Sequence, residues 1–169
     1  MSGLPDRKMF IGLVVPDDPL LLQAVARVAI LHTQLDFVLR MTLKTLSGSR
    51  PKEARKVTRG MPSRDLRKHV GKLAFKRLGK CDAYRRLDAM LERCRLATKK
   101  RNRYAHALFV GNFDRNEYRM ESETSDWEPL PSLSDLTLFA AELVSLAEEI
   151  NEARLNGFLR EALEIKPRR

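Results

Sequence analysis

A chain of 169 residues that is 43% hydrophobic and 32% charged can build one apolar core but is too short for two ordinary domains, and this balance excludes a fully disordered chain. Its two cysteines, Cys81 and Cys94, stand in no metal-binding or disulfide-framework spacing, so both read as buried thiols and no metal or other cofactor is expected. The formal charge of +10 is concentrated: residues 50–103 hold 20 Lys and Arg against 5 Asp and Glu, a net of +15 that leaves −5 for the rest, so the middle of the chain suggests a polyanion-facing surface.

The apolar lead from Met9 to Val15 is seven residues broken by Gly12, too short to span a bilayer and without a signal-peptide cleavage site, so a cytoplasmic protein with no membrane partner is expected. Asp17 and Asp18 before Pro19 mark a helix start. Leu21, Val25, Val28, His32, Leu35, Leu39 and Leu46 then recur at three-to-four spacing, predicting one long amphipathic helix over about 18–46. "SGSRP" ends it, and a short helix follows from Pro51 to Arg59. Ser63 is placed to cap a helix over 64–78, with Leu66, Val70, Leu73 and Leu78 as its apolar stripe and Arg64, Arg67, Lys68, Lys72 and Lys76 around the rest.

Asp82 reads as the cap of a helix carrying Tyr84, Leu87, Leu91 and Cys94 inward. After His106, "ALFVGNFDRNEYRMES" has two short β-prone pieces with Gly-Asn and Asp-Arg-Asn turn chemistry, a short hairpin or irregular excursion. Ser132 and Asp135 stand at capping-box spacing before a last helix over about 134–163 through Leu138, Ala141, Val144, Leu146, Ile150 and Leu159. Three or four long helices joined by short breaks predict an all-α, up-and-down bundle in a single domain spanning residues 1–169.

The stretch "KKRNRYAHALF" packs Lys99, Lys100, Arg101, Asn102, Arg103 and His106 into eight residues. On an ideal helix Arg101 and His106 point roughly 140° apart, whereas Asn102 and His106 share a face. One chain therefore makes an awkward site from the pair. Two copies meeting across a two-fold axis would bring two arginines and two histidines together.

"RNRYAH" resembles the signature of the HEPN superfamily, an arginine followed after four to six residues by histidine with a polar residue directly after the arginine. The helical order, the chain length and a long first helix with Asp36 as an inward acid extend the resemblance over most of the chain. It implies a HEPN-like bundle and, as for many of its members, a dimeric, metal-independent endoribonuclease acting on RNA, in a toxin or phage-defence setting with an antitoxin or other regulator as a further partner. Histidine exchanges protons near neutral pH, so His106 can serve a ribose 2′-OH or a leaving 5′-oxygen, and Arg101 offers a planar fork to the phosphoryl oxygens. Asn102 can orient the imidazole or the phosphate, and Asp36 can pair with Arg101. Tyr104 can stack on a base or serve as a core or interface aromatic. Lys99, Lys100 and Arg103 add to the nucleic-acid-binding cations of residues 64–76. Leu108 stands where toxins paired with a nucleotidyltransferase antitoxin carry a tyrosine, so control by modifying that tyrosine is not expected.

Three readings stay open on the residues. His32 and Asp36, four apart, can support the site, form half a metal site, or be a core histidine paired with its carboxylate. The basic stretch over 51–79 can instead be a helix-turn-helix entering a major groove, making the protein a non-enzymatic nucleic-acid binder. A helical scaffold that uses Arg101 and His106 only at a dimer interface is the third. Phosphate-binding and serine-hydrolase loops are absent from the sequence.

Overall fold

The computed structural model describes residues 11–13, 16–106, 108–112, 117–122 and 125–165. Six helices carry this part of the chain: α1 Pro19–Ser47, α2 Pro51–Thr58, α3 Ser63–Leu78, α4 Asp82–Ala105, α5 Leu133–Leu155 and α6 Phe158–Ile165. The four long ones form the expected helical bundle, with α1 packed against α3, α4 and α5. By length and composition α1 is apolar enough to cross a bilayer. In this fold its Leu21, Val28, Leu35, Leu39, Leu43 and Leu46 form the axis of the core.

Local chemistry explains the helix ends. Asp18 accepts hydrogen bonds from the Leu20 and Leu21 amides at 3.0 Å each, satisfying free donors at the start of α1. Gly48, in the left-handed region at φ 57°, closes it by donating to Lys44 O. Ser132 and Asp135 form the capping box of α5, in which the Asp135 amide donates to Ser132 Oγ at 3.0 Å.

Other ends differ from the sequence reading. Ser63 lies inside α3, behind Pro62, and its hydroxyl is drawn to Asp36 rather than to the helix amides. Cys81, not Asp82, occupies the N-cap position of α4. The expected last helix breaks at Asn156 and Gly157, whose amides both donate to Glu152 O, so α6 starts afresh. The buried arc of α5 is also rotated from the expected one. Leu136, Phe139, Ala140, Leu143, Leu146, Ile150 and Ala153 face inward, while Leu138 is 62% exposed and Ala141 is exposed. This helix is apolar on more than one side, so contact with α1 selects which arc is buried.

The short hairpin after α4 is present as β2 Leu108–Asn112 and β3 Glu117–Ser122. It extends to a four-stranded antiparallel sheet in the order β1-β2-β3-β4, with β1 Ile11–Leu13 on β2 and β4 Ser125–Pro129 on β3. Gly111 and Asn112, read as turn residues, lie within β2 opposite Tyr118 and Glu117. The expected Asp-Arg-Asn turn falls outside the described residues. Met120 of β3 is buried in the main core.

Candidate functional site

The inward face of α4 runs Leu87, Leu91, Cys94, Thr98, Arg101, at steps of four and three, so Arg101 continues an apolar stripe toward the helix C-terminus. Facing Thr98 are His32 of α1 and Arg67 of α3. His32 is 2% exposed, and its Nε2 lies 3.0 Å from Thr98 Oγ1. Arg67 Nη1 donates to the same oxygen at 2.7 Å, and that hydroxyl lies 2.8 Å from Cys94 O. Asp36 Oδ2 accepts from Ser63 Oγ at 2.6 Å and lies 3.8 Å from His32 Nδ1. Three helices thus meet through polar side chains inside an otherwise apolar core.

The charges in this cluster oppose one another. Burial lowers the His32 pKa below its usual value, while Asp36 raises it and Arg101 and Arg67 lower it further. The Thr98 hydroxyl donates its one proton to Cys94 O, so toward His32 it is an acceptor and the neutral ring carries its proton on Nε2. Protonation would add a proton at Nδ1, on the side that faces Asp36. Burial also draws the Arg67 guanidinium below its ordinary value and pushes the Cys94 thiol up to about 12, so that sulfur stays a protonated core group. Among the described residues, no group of three or more His, Cys, Asp and Glu side chains is gathered at a metal-binding distance.

Arg101 is half-buried, and its Nε is fully buried without a hydrogen-bond partner among the described residues. His106 is exposed at the C-cap of α4, where its amide donates to Asn102 O at 3.0 Å, and Asn102 is exposed beside it. Arginine and histidine therefore sit on opposite sides of one helix end, the arginine turned in toward His32 and the histidine in solvent.

The other expected residues divide between binding and structure. Tyr104 is buried edge-on to Phe139, with ring centroids 6.1 Å apart, and so serves as a core aromatic. Lys100 Nζ lies 4.4 Å from the centroid of the same phenylalanine and 3.5 Å from Glu142, and Arg103 pairs with Glu128 of β4. Lys99 is exposed. On α3, Arg64, Lys68, Lys72 and Lys76 stand at successive steps of four, an exposed row whose members are about 6 Å apart along the axis. Arg64 is paired with Asp65, while Arg67 leaves the row for Thr98. The short α2 packs on α1, so α2 and α3 do not form the tightly packed helix pair that a helix-turn-helix needs.

Thr98, the contact of Ser63 with Asp36 and the inward role of Arg67 are not signalled by the sequence reading. The stripe from Leu87 to Arg101 was the available signal for Thr98. Fold and site together define a helical bundle with a buried polar cluster against the helix that bears the Arg-His stretch. No family model, characterised protein or solved structure matches the chain significantly.

Proposed function

We propose that this protein is a metal-independent endoribonuclease of the HEPN type, with a site completed by two copies of the α4 C-terminal end. The observation that supports this most is the condition of Arg101. Its buried Nε has no acceptor among the described residues, an arrangement that costs stability unless another group completes it. A phosphoryl oxygen is the natural acceptor for an arginine fork. The exposed His106 supplies a proton-transfer group at the same helix end, and the two directions are reconciled when a second copy provides the complementary pair.

In that arrangement one imidazole takes the proton of the ribose 2′-OH as the 2′-oxygen bonds to phosphorus. The bond from phosphorus to the 5′-oxygen breaks, and the other imidazole protonates the leaving oxygen. The products are a 2′,3′-cyclic phosphate and a 5′-hydroxyl. Arg101 bears the charge that builds on the phosphoryl oxygens. Lys68, Lys72 and Lys76 are spaced to follow an RNA backbone.

The test is cleavage of mixed RNA by purified protein in EDTA. His106→Ala should lower the rate about 10²- to 10⁴-fold while RNA affinity and helical circular dichroism persist. A 2′-deoxy substrate should resist. Cleavage that survives His106→Ala, or that stops in EDTA, refutes the assignment. The exposed α3 row favours a second reading, non-enzymatic RNA binding, which retained affinity without any cleavage would select.

A further inference from the structure

A second basic feature lies outside the Arg-His stretch. Residues Lys52, Arg55, Lys56 and Arg59 follow i, i+3, i+4, i+7 spacing, so one face of α2 and its C-cap is wholly cationic. The opposite face carries Ala54 and Thr58 into the interior. The cationic face meets the half-buried Arg40 of α1 across a groove of about 490 Å³.

Five of the seven groove-lining residues are cations, and none is acidic or aromatic. The remaining two are Thr58, whose hydroxyl donates to Ala54 O at 2.9 Å, and Gly60. Nothing lies within 4 Å of a Cβ placed on Gly60, so the groove is uncovered at that point. Two acids stand close in sequence to the groove cations: Glu53 is committed to the α2 N-terminus, where its carboxylate accepts from the Arg50 amide at 3.0 Å, and Asp36, one turn before Arg40 on α1, accepts from Ser63 Oγ at 2.6 Å. Many other cations of the basic middle are neutralised: Arg85 by Asp82, Arg93 by Glu149, Arg95 by Glu92, Arg103 by Glu128. The five groove cations make no ion pair among the described residues.

Like charges crowded around a concave surface raise its potential and repel one another until an anion enters. The lining offers no aromatic face for a base and no aliphatic hydrophobic residue for a lipid chain, so what sets its recognition is the charge at the ends of its five cationic side chains. A single phosphate leaves most of five cations unmatched. We propose that this groove is a binding site for closely spaced phosphates, with Arg40, Lys52, Arg55, Lys56 and Arg59 as its ligating groups. A free oligophosphate and consecutive phosphodiesters of an RNA strand share this chemistry. The site does not depend on the ribonuclease reading, since none of its residues belongs to the Arg-His stretch.

The experiment is calorimetric titration of the full chain, without divalent metal and at about 0.15 M salt, using inorganic tripolyphosphate and orthophosphate as probes. Tripolyphosphate should bind at least about tenfold more tightly than orthophosphate. The double variant R55Q/R59Q should weaken it by at least about tenfold, the scale of one lost charge-assisted hydrogen bond. The variant R27Q/K80Q, which removes equal charge from α1 and from the turn after α3, should leave it unchanged. Both variants alter exposed side chains, and circular dichroism checks their fold. Displacement of tripolyphosphate by a 5′-hydroxyl oligoribonucleotide would identify the RNA backbone as the source, and failure to displace would identify a free oligophosphate. Absence of tripolyphosphate binding, equal affinity for orthophosphate, or equal loss in R27Q/K80Q would overturn the proposal. A cleavage defect in His106→Ala with unchanged tripolyphosphate binding keeps the two sites distinct.

Discussion

Replacing Thr98 by valine removes one hydroxyl at nearly constant volume, yet that oxygen joins three helices. It accepts from Arg67 Nη1 at 2.7 Å and faces His32 Nε2 at 3.0 Å. Loss of a hydrogen bond from a charged donor costs about 1.5–3 kcal/mol, and a buried polar atom left without its partner costs about 1–3 kcal/mol. Arg67 is half-buried and regains part of its share from water, whereas His32 is 2% exposed and does not. The expected net destabilisation is therefore about 2–4 kcal/mol. Urea denaturation followed by circular dichroism reads it as a lower midpoint at unchanged slope, a drop of about 1 M or more. Thr33→Val is the matched comparison, because the Thr33 hydroxyl also donates to the carbonyl four residues back, at 3.1 Å, but is exposed. It should change stability by no more than about 0.5 kcal/mol. Thr98→Ser keeps the hydroxyl and should recover most of the loss. If Thr98→Val and Thr33→Val cost the same, the hydroxyl does not hold the cluster together and the account of His32 and Arg67 fails.

The depressed pKa of His32 has a definite sign in stability. An unfolded histidine titrates near 6.5, so below about that pH the unfolded chain binds more protons and stability falls on acidification, while above it the contribution is fully present. An NMR titration should place the His32 ring below 6.5, with Asp36→Asn lowering it further, and a ring titrating at or above that value would contradict the burial argument. On α3, Lys68→Glu, Lys72→Glu and Lys76→Glu together should flatten the salt dependence of RNA binding, each lost phosphate contact reducing the slope by about 0.7 for a single strand, and an unchanged slope would show that the row is only solvated. Phe139, 1% exposed beneath Tyr104 and Lys100, should cost about 3–5 kcal/mol when cut to alanine, read as a shift in the urea midpoint, and a loss below about 1 kcal/mol would mean that the α4–α5 contact is not part of the core.

What the chain determines by itself is mostly local. Asp18 before Pro19, and Ser132 three residues before Asp135, start helices because the side chains that satisfy their free amides are neighbours in sequence. The three-to-four spacing of Leu21, Val28, Leu35, Leu39 and Leu46 marks the buried face of α1, although Leu20, Leu22, Ile30 and Phe37 leave its outer side apolar in part. The stripe from Leu87 to Arg101 likewise turns Arg101 inward, and the C-cap position leaves His106 in solvent. Tertiary structure decides wherever two segments compete or must meet. Packing on α1 selects the arc of α5 that buries Phe139 and exposes Leu138, since periodicity along one helix cannot choose between two apolar sides. The sheet needs Ile11–Leu13 to pair with Val110–Asn112, a contact that no local propensity encodes. The same holds for the polar cluster: Ser63 reaches Asp36, and Arg67 and His32 share Thr98, only when α1, α3 and α4 are docked, because the cost of burying each group is offset by a partner from another helix.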